Sequence, residues 1–393
     1  MLYRRFGRTE LPMPVLSCGG MRYQYKWQDV SWSEIPDDNQ RNLEATIQRA
    51  WELGITHIET ARGYGSSEMQ LGKILPTLPR DPLIVQTKVS PKEDAQEFRD
   101  TFFQSLEYLR LDYVDLLGLH GINTAELMDY SLRPGGCLDV AYELKAAGYV
   151  RHIGFSTHAP LPVILAGIRS QRFDYINLHW YYINQQNWPA ILAAQAQDMG
   201  VFIISPANKG GMLYRPSQKL IDLCQPLSPL VFNDLFCLSH PQVHTLSVGA
   251  AQPTDFEEHL QALAVLDQAG TLLPPIIDRL QVALETTLGA DYAQRWSEGL
   301  PPPEETPGQV NIPMILWLRN LVLAYDMVEY GKMRYNLLGN GGHWFPGRKA
   351  ELVDPQQLAP VLQKSPFADL IPAYLQEADR LLQGEAVTRL SNA

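Results

Sequence analysis

Eight short apolar runs, separated by helical patterns, constrain the fold of this chain more than any other feature. The segments between them, such as "RNLEATIQRAWELG", carry apolar residues three and four positions apart, which is typical of amphipathic helices. Eight strand–helix units in about 250 residues predict an α/β fold, a (β/α)8 TIM barrel. The predicted strands are rich in β-branched and aromatic residues and lie at 15–20, 57–60, 83–89, 113–121, 151–157, 175–183, 201–207 and 245–250.

A doubly wound open sheet is the main alternative to a barrel. Such a sheet usually carries the phosphate-binding pattern G-x-G-x-x-G after its first strand. The first predicted strand of this chain runs into "CGGMRYQYKW", which does not match that pattern. The sequence therefore favours the barrel.

The strand patterns stop near residue 268, and helical patterns replace them. The predicted helices are "LPPIIDRLQVALETTLG", "ADYAQRWSEG", "PMILWLRNLVLAYDMVEYG" and "ADLIPAYLQEADRLLQG". A proline-rich stretch, "LPPPEETPGQ", interrupts them and is predicted to be a loop. We predict two domains, a barrel over 1–268 and a C-terminal all-helical extension over 269–393.

Charge and cysteine content argue against several classes of protein. The 393 residues carry a net charge of -11 and no cluster of basic residues, which argues against a nucleic-acid partner. The four cysteines form no C-x-x-C pair, so we expect no metal site and no disulfide framework. Free thiols are typical of a reducing compartment, and no apolar signal segment opens the chain, so we expect a cytoplasmic protein.

The most apolar long run, residues 312–328, contains Arg319 and Asp326. Charged residues in the middle of an apolar run are costly in a lipid bilayer. We therefore predict a buried helix there and no membrane association. The sequence identifies no protein partner.

Four polar residues stand at or just after the ends of neighbouring predicted strands. Glu59 ends the second strand, and Tyr64 follows it in a loop flanked by glycines; Lys88 ends the third strand and His120 the fourth. The carboxyl ends of the strands of a barrel converge on one face. Each residue alone could have an ordinary structural role, but the joint pattern predicts that the four side chains share one pocket.

This combination suits the reduction of a carbonyl group, in which a hydride reaches the carbon and an acid supplies a proton to the oxygen. A phenol has an ordinary pKa of about 10, and we expect the Lys88 ammonium to lower that of Tyr64. A carboxylate can hold the lysine in place, and an imidazole can orient the carbonyl. The predicted catalytic residues are Tyr64 as general acid, Lys88, His120 and Glu59.

Three motifs at these strand ends resemble those of the aldo-keto reductase family. The stretch "HIETARGYGSSEMQLG" is similar to the family motif D-T-A-x-x-Y-G-x-S-E-x-x-x-G, and "IVQTKVS" and "LRLDYVDLLGLHG" resemble the next two strands. The resemblance spans residues 1–268 and implies NAD(P)H-dependent reduction of a small-molecule aldehyde or ketone to an alcohol. Glu59 stands where the family has aspartate, so its side chain is one methylene longer.

The resemblance also implies a nicotinamide dinucleotide as cofactor. NADP(H) is the usual cofactor of the family, and NAD(H) is possible. The segment after the eighth strand holds Gly249, Ala250 and Asp255 but no lysine or arginine for a 2′-phosphate. We therefore expect NADPH to be preferred over NADH by less than about a hundredfold, the effect of one charge-assisted contact. The implied cofactor contacts are Ser156, Thr157, Asn177, Ser205, Lys209, Gly249, Ala250, Gln252, Glu258 and His259.

The extension resembles the C-terminal region of aldo-keto reductases that carry an iron–sulfur tail. The ligand run C-x2-C-x2-C-x3-C-P is absent, because no cysteine follows Cys237. We therefore expect the helices without an iron–sulfur cluster. This extension, Glu59, and Ile204 at the place of a usual aromatic leave a second hypothesis open, a cofactor-binding regulatory or scaffold protein with little turnover.

The aromatic residues of "LHWYYINQQNW" after the sixth strand leave two further alternatives open. They line a pocket for apolar or aromatic carbonyls, or they pack the barrel against its helices.

Overall fold

The computed structural model describes residues 1–352 and 355–384. The chain divides into two compact units. The first comprises Met1–Gly210 and Asn233–Ala269, and the second comprises Gly211–Phe232 together with the chain from Gly270 onward. The division into domains at residues 268–269 remains a prediction.

Eight parallel strands in the first unit form a closed barrel, which confirms the predicted fold. A short antiparallel hairpin of β1 (Tyr3–Arg5) and β2 (Pro12–Pro14) precedes it. Each barrel strand pairs with the next one along the chain, and the last pairs with the first. The barrel strands are β3 (Leu16–Gly19), β4 (His57–Glu59), β5 (Ile84–Val89), β6 (Val114–Leu119), β7 (Val150–Ser156), β8 (Tyr175–Leu178), β9 (Gly200–Ile203) and β10 (Thr245–Val248).

Helices separate the strands, and local signals fix several of their ends. Asp94 and Thr124 accept hydrogen bonds from the first-turn amides of the helices that follow them. Arg110, in a left-handed conformation (φ 53°), caps the carboxyl end of the first of these helices. The helices up to residue 264 are α1 (Asp37–Glu52), α2 (Ser67–Ile74), α3 (Ala95–Leu109), α4 (Ala125–Leu132), α5 (Cys137–Ala146), α6 (Leu161–Arg169), α7 (Trp188–Ala196), α8 (Pro206–Lys209), α9 (Gln218–Cys224), α10 (Pro229–Leu238) and α11 (Phe256–Ala264).

The N-terminal hairpin closes the amino end of the barrel. Phe6 and Met13 are fully buried and share a core cluster with Ile84 and Tyr175, the first residues of β5 and β8. A Cβ atom at Gly200 would lie 2.7 Å from the Phe6 ring, so only glycine fits there. Because apolar packing fills this end, the carboxyl ends of the strands are the place for a functional site.

The second unit is helical, as predicted for the C-terminal region. The predicted helix over 313–331 is two helices, because Asp326 adopts a left-handed conformation (φ 56°) that ends the first of them. The helix predicted from residue 273 begins earlier and includes Pro274 and Pro275. The α-helices from Ala269 onward in the described part of the chain are α12 (Ala269–Leu288), α13 (Ala290–Arg295), α14 (Ile312–Tyr325), α15 (Val328–Tyr335), α16 (Pro355–Leu358) and α17 (Ile371–Leu382).

A buried arginine joins α14 to α17. The Arg319 Nε atom donates to Glu377 Oε2 at 2.6 Å, and the guanidinium lies 3.8 Å from the centre of the Tyr374 ring. A guanidinium can pack on an aromatic face and bind a carboxylate at the same time. The charge in this apolar helix thus serves packing within the extension.

Within the described residues, no single helix is long and apolar enough to cross a membrane. One bent pair, Pro253–Ala264 with Leu266–Leu288, passes by length and composition alone.

Candidate active site

Four side chains predicted to share a pocket do meet at the carboxyl ends of β4, β5 and β6. The Lys88 Nζ atom contacts Glu59 Oε1 and donates a hydrogen bond to the Thr60 carbonyl oxygen at 2.7 Å. The same Nζ lies 4.8 Å from the centre of the Tyr64 ring. The Tyr64 and His120 rings meet edge to face, with their centres 5.7 Å apart.

Glycine in β6 makes room for the lysine. Lys88 and Gly118 are partners in the parallel register of β5 and β6. A Cβ atom at residue 118 would lie 2.8 Å from Lys88 Cγ, closer than atoms approach in real structures. The lysine stem therefore crosses the position that a larger residue of β6 would occupy, and its Nζ reaches Glu59.

A glycine also explains the loop that carries Tyr64. Gly65 has φ +53°, and a Cβ atom there would lie 2.1 Å from the Lys26 carbonyl oxygen. The same oxygen accepts the Ser66 amide at 3.0 Å, which joins this loop to the segment after β3. The Tyr64 ring packs against Trp27, with centres 5.9 Å apart. The loop is thus held close to its neighbour.

Glu68 and Arg62, which we did not predict as site residues, anchor the same loop. Glu68 is fully buried and accepts hydrogen bonds from Thr87 Oγ1 and Arg62 Nη1, each at 2.5 Å. Arg62 also contacts Asp29. Glu68 is the glutamate of the S-E pair in the motif that resembles the family, and that position could have identified it.

The longer arm of Glu59 places its carboxylate next to both partners. The Tyr64 hydroxyl donates to Glu59 Oε1 at 3.4 Å, and this is the oxygen that Lys88 contacts. Glu59 and Lys88 are each 2% exposed, so the two charges are almost removed from water. A buried carboxylate and ammonium in contact compensate each other's charge.

The expected lowering of the Tyr64 pKa is wrong. Burial raises the pKa of the Tyr64 phenol well above its ordinary value of 10.0. Burial also lowers the pKa of Lys88, because a low-dielectric site penalises the charged form of each group. Tyr64 is therefore a neutral phenol near pH 7, the form that can donate a proton.

The predicted nicotinamide end contains one side chain with unmet hydrogen-bonding capacity. Asn177 is fully buried in β8, and neither its Oδ1 nor its Nδ2 atom has a partner within residues 1–352 and 355–384. Ser156 Oγ accepts the Gly121 amide at 3.0 Å, and Thr157 donates to the Ile122 carbonyl at 2.8 Å. A carboxamide would satisfy the Asn177 amide, so these residues fit a nicotinamide group.

Lys209, a predicted cofactor contact, belongs to a cluster with two histidines that we did not predict. Its Nζ atom lies 3.4 Å from His158 Nδ1 and from His179 Nε2, and these two ring nitrogens are 2.7 Å apart. Ser205 precedes α8 in a left-handed conformation (φ 55°), uncommon for a residue with a side chain. The cluster follows β7, β8 and β9 and gives this side of the barrel mouth a basic character.

Five predicted contacts lie along the segment after β10, and one of them is turned inward. His259 is fully buried, and its Nδ1 atom lies 2.5 Å from Asp234 Oδ2. This pairing gives His259 a role in packing α11 against α10. Of the others, Ala250 is buried, Gly249 and Glu258 are half-buried, and Gln252 is exposed.

The segment after β10 contains no lysine or arginine of its own, but a cation reaches it from elsewhere in the chain. This cation is Arg22, in the loop after β3, which the sequence analysis did not identify. Arg22 Nη1 donates to the Gly249 carbonyl at 2.6 Å and lies 3.3 Å from Asp255 Oδ2. The two residues of the ion pair are 233 positions apart, so no local pattern could have joined them.

The aromatic residues after β8 mostly pack the barrel against its helices. Trp180 stacks on Phe236 with ring centres 5.0 Å apart and also contacts Trp188 and His240 at 5.0 and 4.8 Å. Trp180 is 1% exposed. For this residue the packing alternative is the right one.

Comparisons with known proteins agree with this fold. The sequence profile of the Aldo/keto reductase family matches residues 15–214. The chain therefore belongs to the aldo/keto reductase family. The match covers β3 to β9 and so contains the four side chains at the barrel mouth.

Several curated relatives are named for reactions of sugars. The chain is 27% identical to L-galactose dehydrogenase from Arabidopsis thaliana over 58% of its own length and 79% of the relative's. It is 26% identical to D-threo-aldose 1-dehydrogenase from a Pseudomonas species over 44% of its length and 62% of the relative's. A match at 32% identity to D-arabinose 1-dehydrogenase from Saccharomyces cerevisiae covers 29% of the chain and 36% of the relative.

Solved structures share the barrel. An aldo-keto reductase from Bacillus halodurans in its holo form superposes with a TM-score of 0.56 at 20% identity, over 71% of this chain and 96% of that one. A thermostable aldo-keto reductase in complex with the inhibitor epalrestat also gives a TM-score of 0.56 at 20% identity, over 69% of this chain and all of the other. At these identities the likeness concerns the fold.

Proposed function

We propose that this protein is an NAD(P)H-dependent oxidoreductase that reduces an aldehyde or ketone to an alcohol, with Tyr64 as the general acid. The observation that carries the proposal is the meeting of Tyr64, Lys88, Glu59 and His120 at one mouth of the barrel. The activity, the cofactor and a cytoplasmic location are all part of the proposal.

Each of the four side chains has one task in the proposed reaction. A bound dihydronicotinamide supplies the hydride. Tyr64 gives its hydroxyl proton to the carbonyl oxygen, and the Lys88 ammonium beside its ring stabilises the phenolate that remains. Glu59 holds Lys88 through their contact. His120, whose ring meets that of Tyr64, donates a hydrogen bond that orients the carbonyl.

The proposed cofactor-binding residues line the ends of β7 to β10. Asn177 binds the carboxamide, and Ser156 and Thr157 shape the same end, since their hydroxyls hold the loop after β6. Ser205 and Lys209 bind the pyrophosphate. Lys209 is only 8% exposed, and a largely buried ammonium is a suitable partner for an anion.

The adenosine end lies at the segment after β10. Gly249, Ala250, Gln252 and Glu258 border this end of the cofactor. His259 supports them through Asp234.

Replacing Asn177 with leucine should separate binding from folding. A neutral hydrogen bond contributes about 0.5–1.5 kcal/mol, so losing the pair to a carboxamide should weaken NADH and NADPH binding by about tenfold. Stability without cofactor should be unchanged or higher, because the substitution removes two buried atoms that lack partners in the described chain. Calorimetry and thermal unfolding measure the two effects.

ADP-ribose provides the control for this variant, because it lacks the nicotinamide ring. Its affinity should be the same for the parent and for Asn177→Leu. An unchanged affinity for the complete dinucleotides would show that Asn177 does not bind the carboxamide.

The pH dependence of the two reaction directions should differ. Because burial raises the pKa of Tyr64, the protonated donor predominates below that pKa, and reduction should not weaken between about pH 6 and pH 9 through loss of this proton. Oxidation of an alcohol needs the phenolate, whose fraction rises about tenfold per pH unit below the pKa. Initial rates in both directions test this, and a reduction rate that falls steeply above neutrality would contradict it.

The experiment that tests the proposed function is a carbonyl panel with the cofactor-loaded protein. The panel includes aldoses, since three curated relatives are named for them, and simple aldehydes and ketones. Binding of NADH or NADPH is first established by fluorescence, and its consumption is then followed. Cofactor binding without turnover of any carbonyl would favour the alternative, a cofactor-binding regulatory or scaffold protein on the same barrel.

A further inference from the structure

Arg22, from the loop after β3, forms a largely buried ion pair with Asp255, which lies in the segment that follows β10. The same carboxylate oxygen, Asp255 Oδ2, lies 3.3 Å from Arg22 Nη1 and accepts the Ala251 amide at 2.8 Å. The two side chains are only 15% and 14% exposed. The contact therefore differs from a loose surface ion pair, which is solvated and contributes little.

The donors that surround Asp255 are those that bind phosphate. A guanidinium and a backbone amide both donate hydrogen bonds to phosphate oxygens as they do to carboxylate oxygens. In this chain an internal carboxylate already accepts from both. Arg22 and the Ala251 amide thus both donate to Asp255, at the place where a phosphate would need them.

We infer that Asp255 is a specificity-determining residue: it occupies the position of the cofactor's 2′-phosphate and makes the protein select NAD(H). The inference rests on the proposed function, which places the adenosine end of the dinucleotide at residues 249–258. The preference for NAD(H) is opposite to the NADP(H) that the family resemblance implies, and Asp255 is the residue that causes it.

Charge decides the direction of the preference. A 2′-phosphate brings up to two negative charges next to the Asp255 carboxylate and would have to take Arg22 from it, and both effects weaken binding. The 2′-hydroxyl of NAD(H) is neutral and can donate a hydrogen bond to a carboxylate, as it does to the acidic residue of other dinucleotide sites. Asp255 therefore favours the hydroxyl.

Arg22 is held in place by more than Asp255. Its Nη1 atom donates to the Gly249 carbonyl at 2.6 Å, and a Cβ atom at Gly249 would lie 3.4 Å from Arg22 Cδ. The arginine stem thus lies against the backbone of the glycine. Neutralising Asp255 should leave the guanidinium where it is and make it available to a phosphate.

The test measures binding of ADP-ribose and of its 2′-phosphorylated form by calorimetry, with the parent and Asp255→Asn. The parent should bind ADP-ribose more tightly than the 2′-phosphorylated form. Asparagine keeps an oxygen that can accept the Ala251 amide but carries no charge. In this variant the 2′-phosphorylated ligand should bind about tenfold to a hundredfold more tightly than in the parent, with ADP-ribose nearly unchanged. Adding Arg22→Gln should abolish the gain.

Two further variants keep the outcome unambiguous. Asp267→Asn removes the same charge from an exposed position in this unit and should leave both affinities unchanged. Asp255→Ser retains a hydroxyl that can accept the Ala251 amide and replaces Asp255→Asn if that protein folds poorly. A parent that prefers the 2′-phosphorylated ligand, or a ratio of affinities that neither Asp255 variant changes, overturns the inference.

Failure of this inference can be told apart from failure of the proposed function. Neither ligand carries a nicotinamide ring and no carbonyl is present, so the affinities do not depend on turnover. The expected ratios together with an inactive carbonyl panel would support the role of Asp255 and reject the oxidoreductase. Carbonyl turnover by a parent protein that prefers NADPH would support the oxidoreductase and reject the role of Asp255.

Discussion

Replacing Tyr64 with phenylalanine is expected to slow carbonyl reduction by about 10²–10⁴-fold, the usual contribution of a positioned general acid. The substitution removes the hydroxyl that donates to Glu59 at 3.4 Å and leaves the ring contacts with Trp27 and His120 intact. Cofactor affinity should change by less than about twofold, since a long hydrogen bond contributes little. Single-turnover rates and cofactor titrations measure the two quantities.

Tyr108→Phe is the matched control for this prediction. The Tyr108 ring lies under the Arg62 guanidinium, whose central carbon is 4.7 Å from the ring centre. Among the described residues, the Tyr108 hydroxyl accepts one hydrogen bond, a long one of 3.4 Å from Gln104. Removing this hydroxyl should leave turnover unchanged. If Tyr64→Phe also reduces carbonyls at the parent rate, Tyr64 serves packing and the proposed acid is wrong.

Replacing Lys88 with methionine is expected to remove activity and to destabilise the barrel by about 3–5 kcal/mol, the usual cost of leaving one member of a buried ion pair alone. Lys88 is the cation in contact with the Glu59 carboxylate, and both side chains are 2% exposed. Methionine fills a similar volume, so the loss of stability measures the cost of leaving the Glu59 carboxylate without its counter-charge. Denaturant unfolding followed by a signal from the barrel unit measures the change.

The double variant Lys88→Met with Glu59→Gln separates the two effects of the lysine. It has no uncompensated charge, so much of the lost stability should return, whereas activity should stay low because the phenolate has lost its ammonium. If Lys88→Met alone unfolds at the same denaturant concentration as the parent, Glu59 and Lys88 do not form a buried ion pair.

The barrel was predictable because its signals are local. Each barrel strand is a short apolar run bounded by turn residues, and the structure confirms all eight. The run over 175–183 was predicted too long, since β8 ends at Leu178. Tyr181 and Asn184 then exchange backbone hydrogen bonds in a turn, which overrides the β-rich composition of the stretch. The β1–β2 hairpin was missed because its strands are three residues long and one contains two prolines.

The meeting of the four site residues was predictable for a different reason. Strand ends of a barrel converge, so the identity of the last polar residue of each strand is enough to place Glu59, Lys88 and His120 together. The direction of the Tyr64 pKa shift was not predictable, because it depends on burial that only the packed structure shows. The pairing of His259 with Asp234 depends in the same way on how α11 packs against α10.

The central claim, that this barrel transfers a hydride to a carbonyl, is tested most directly by isotope transfer. The protein is incubated with a dihydronicotinamide cofactor deuterated at the reacting carbon and with each carbonyl of the panel, and the products are examined by mass spectrometry. We predict an alcohol that carries one deuterium on the former carbonyl carbon for at least one substrate, at a rate that Tyr64→Phe lowers. Cofactor-loaded protein that returns every carbonyl unreduced would contradict the account.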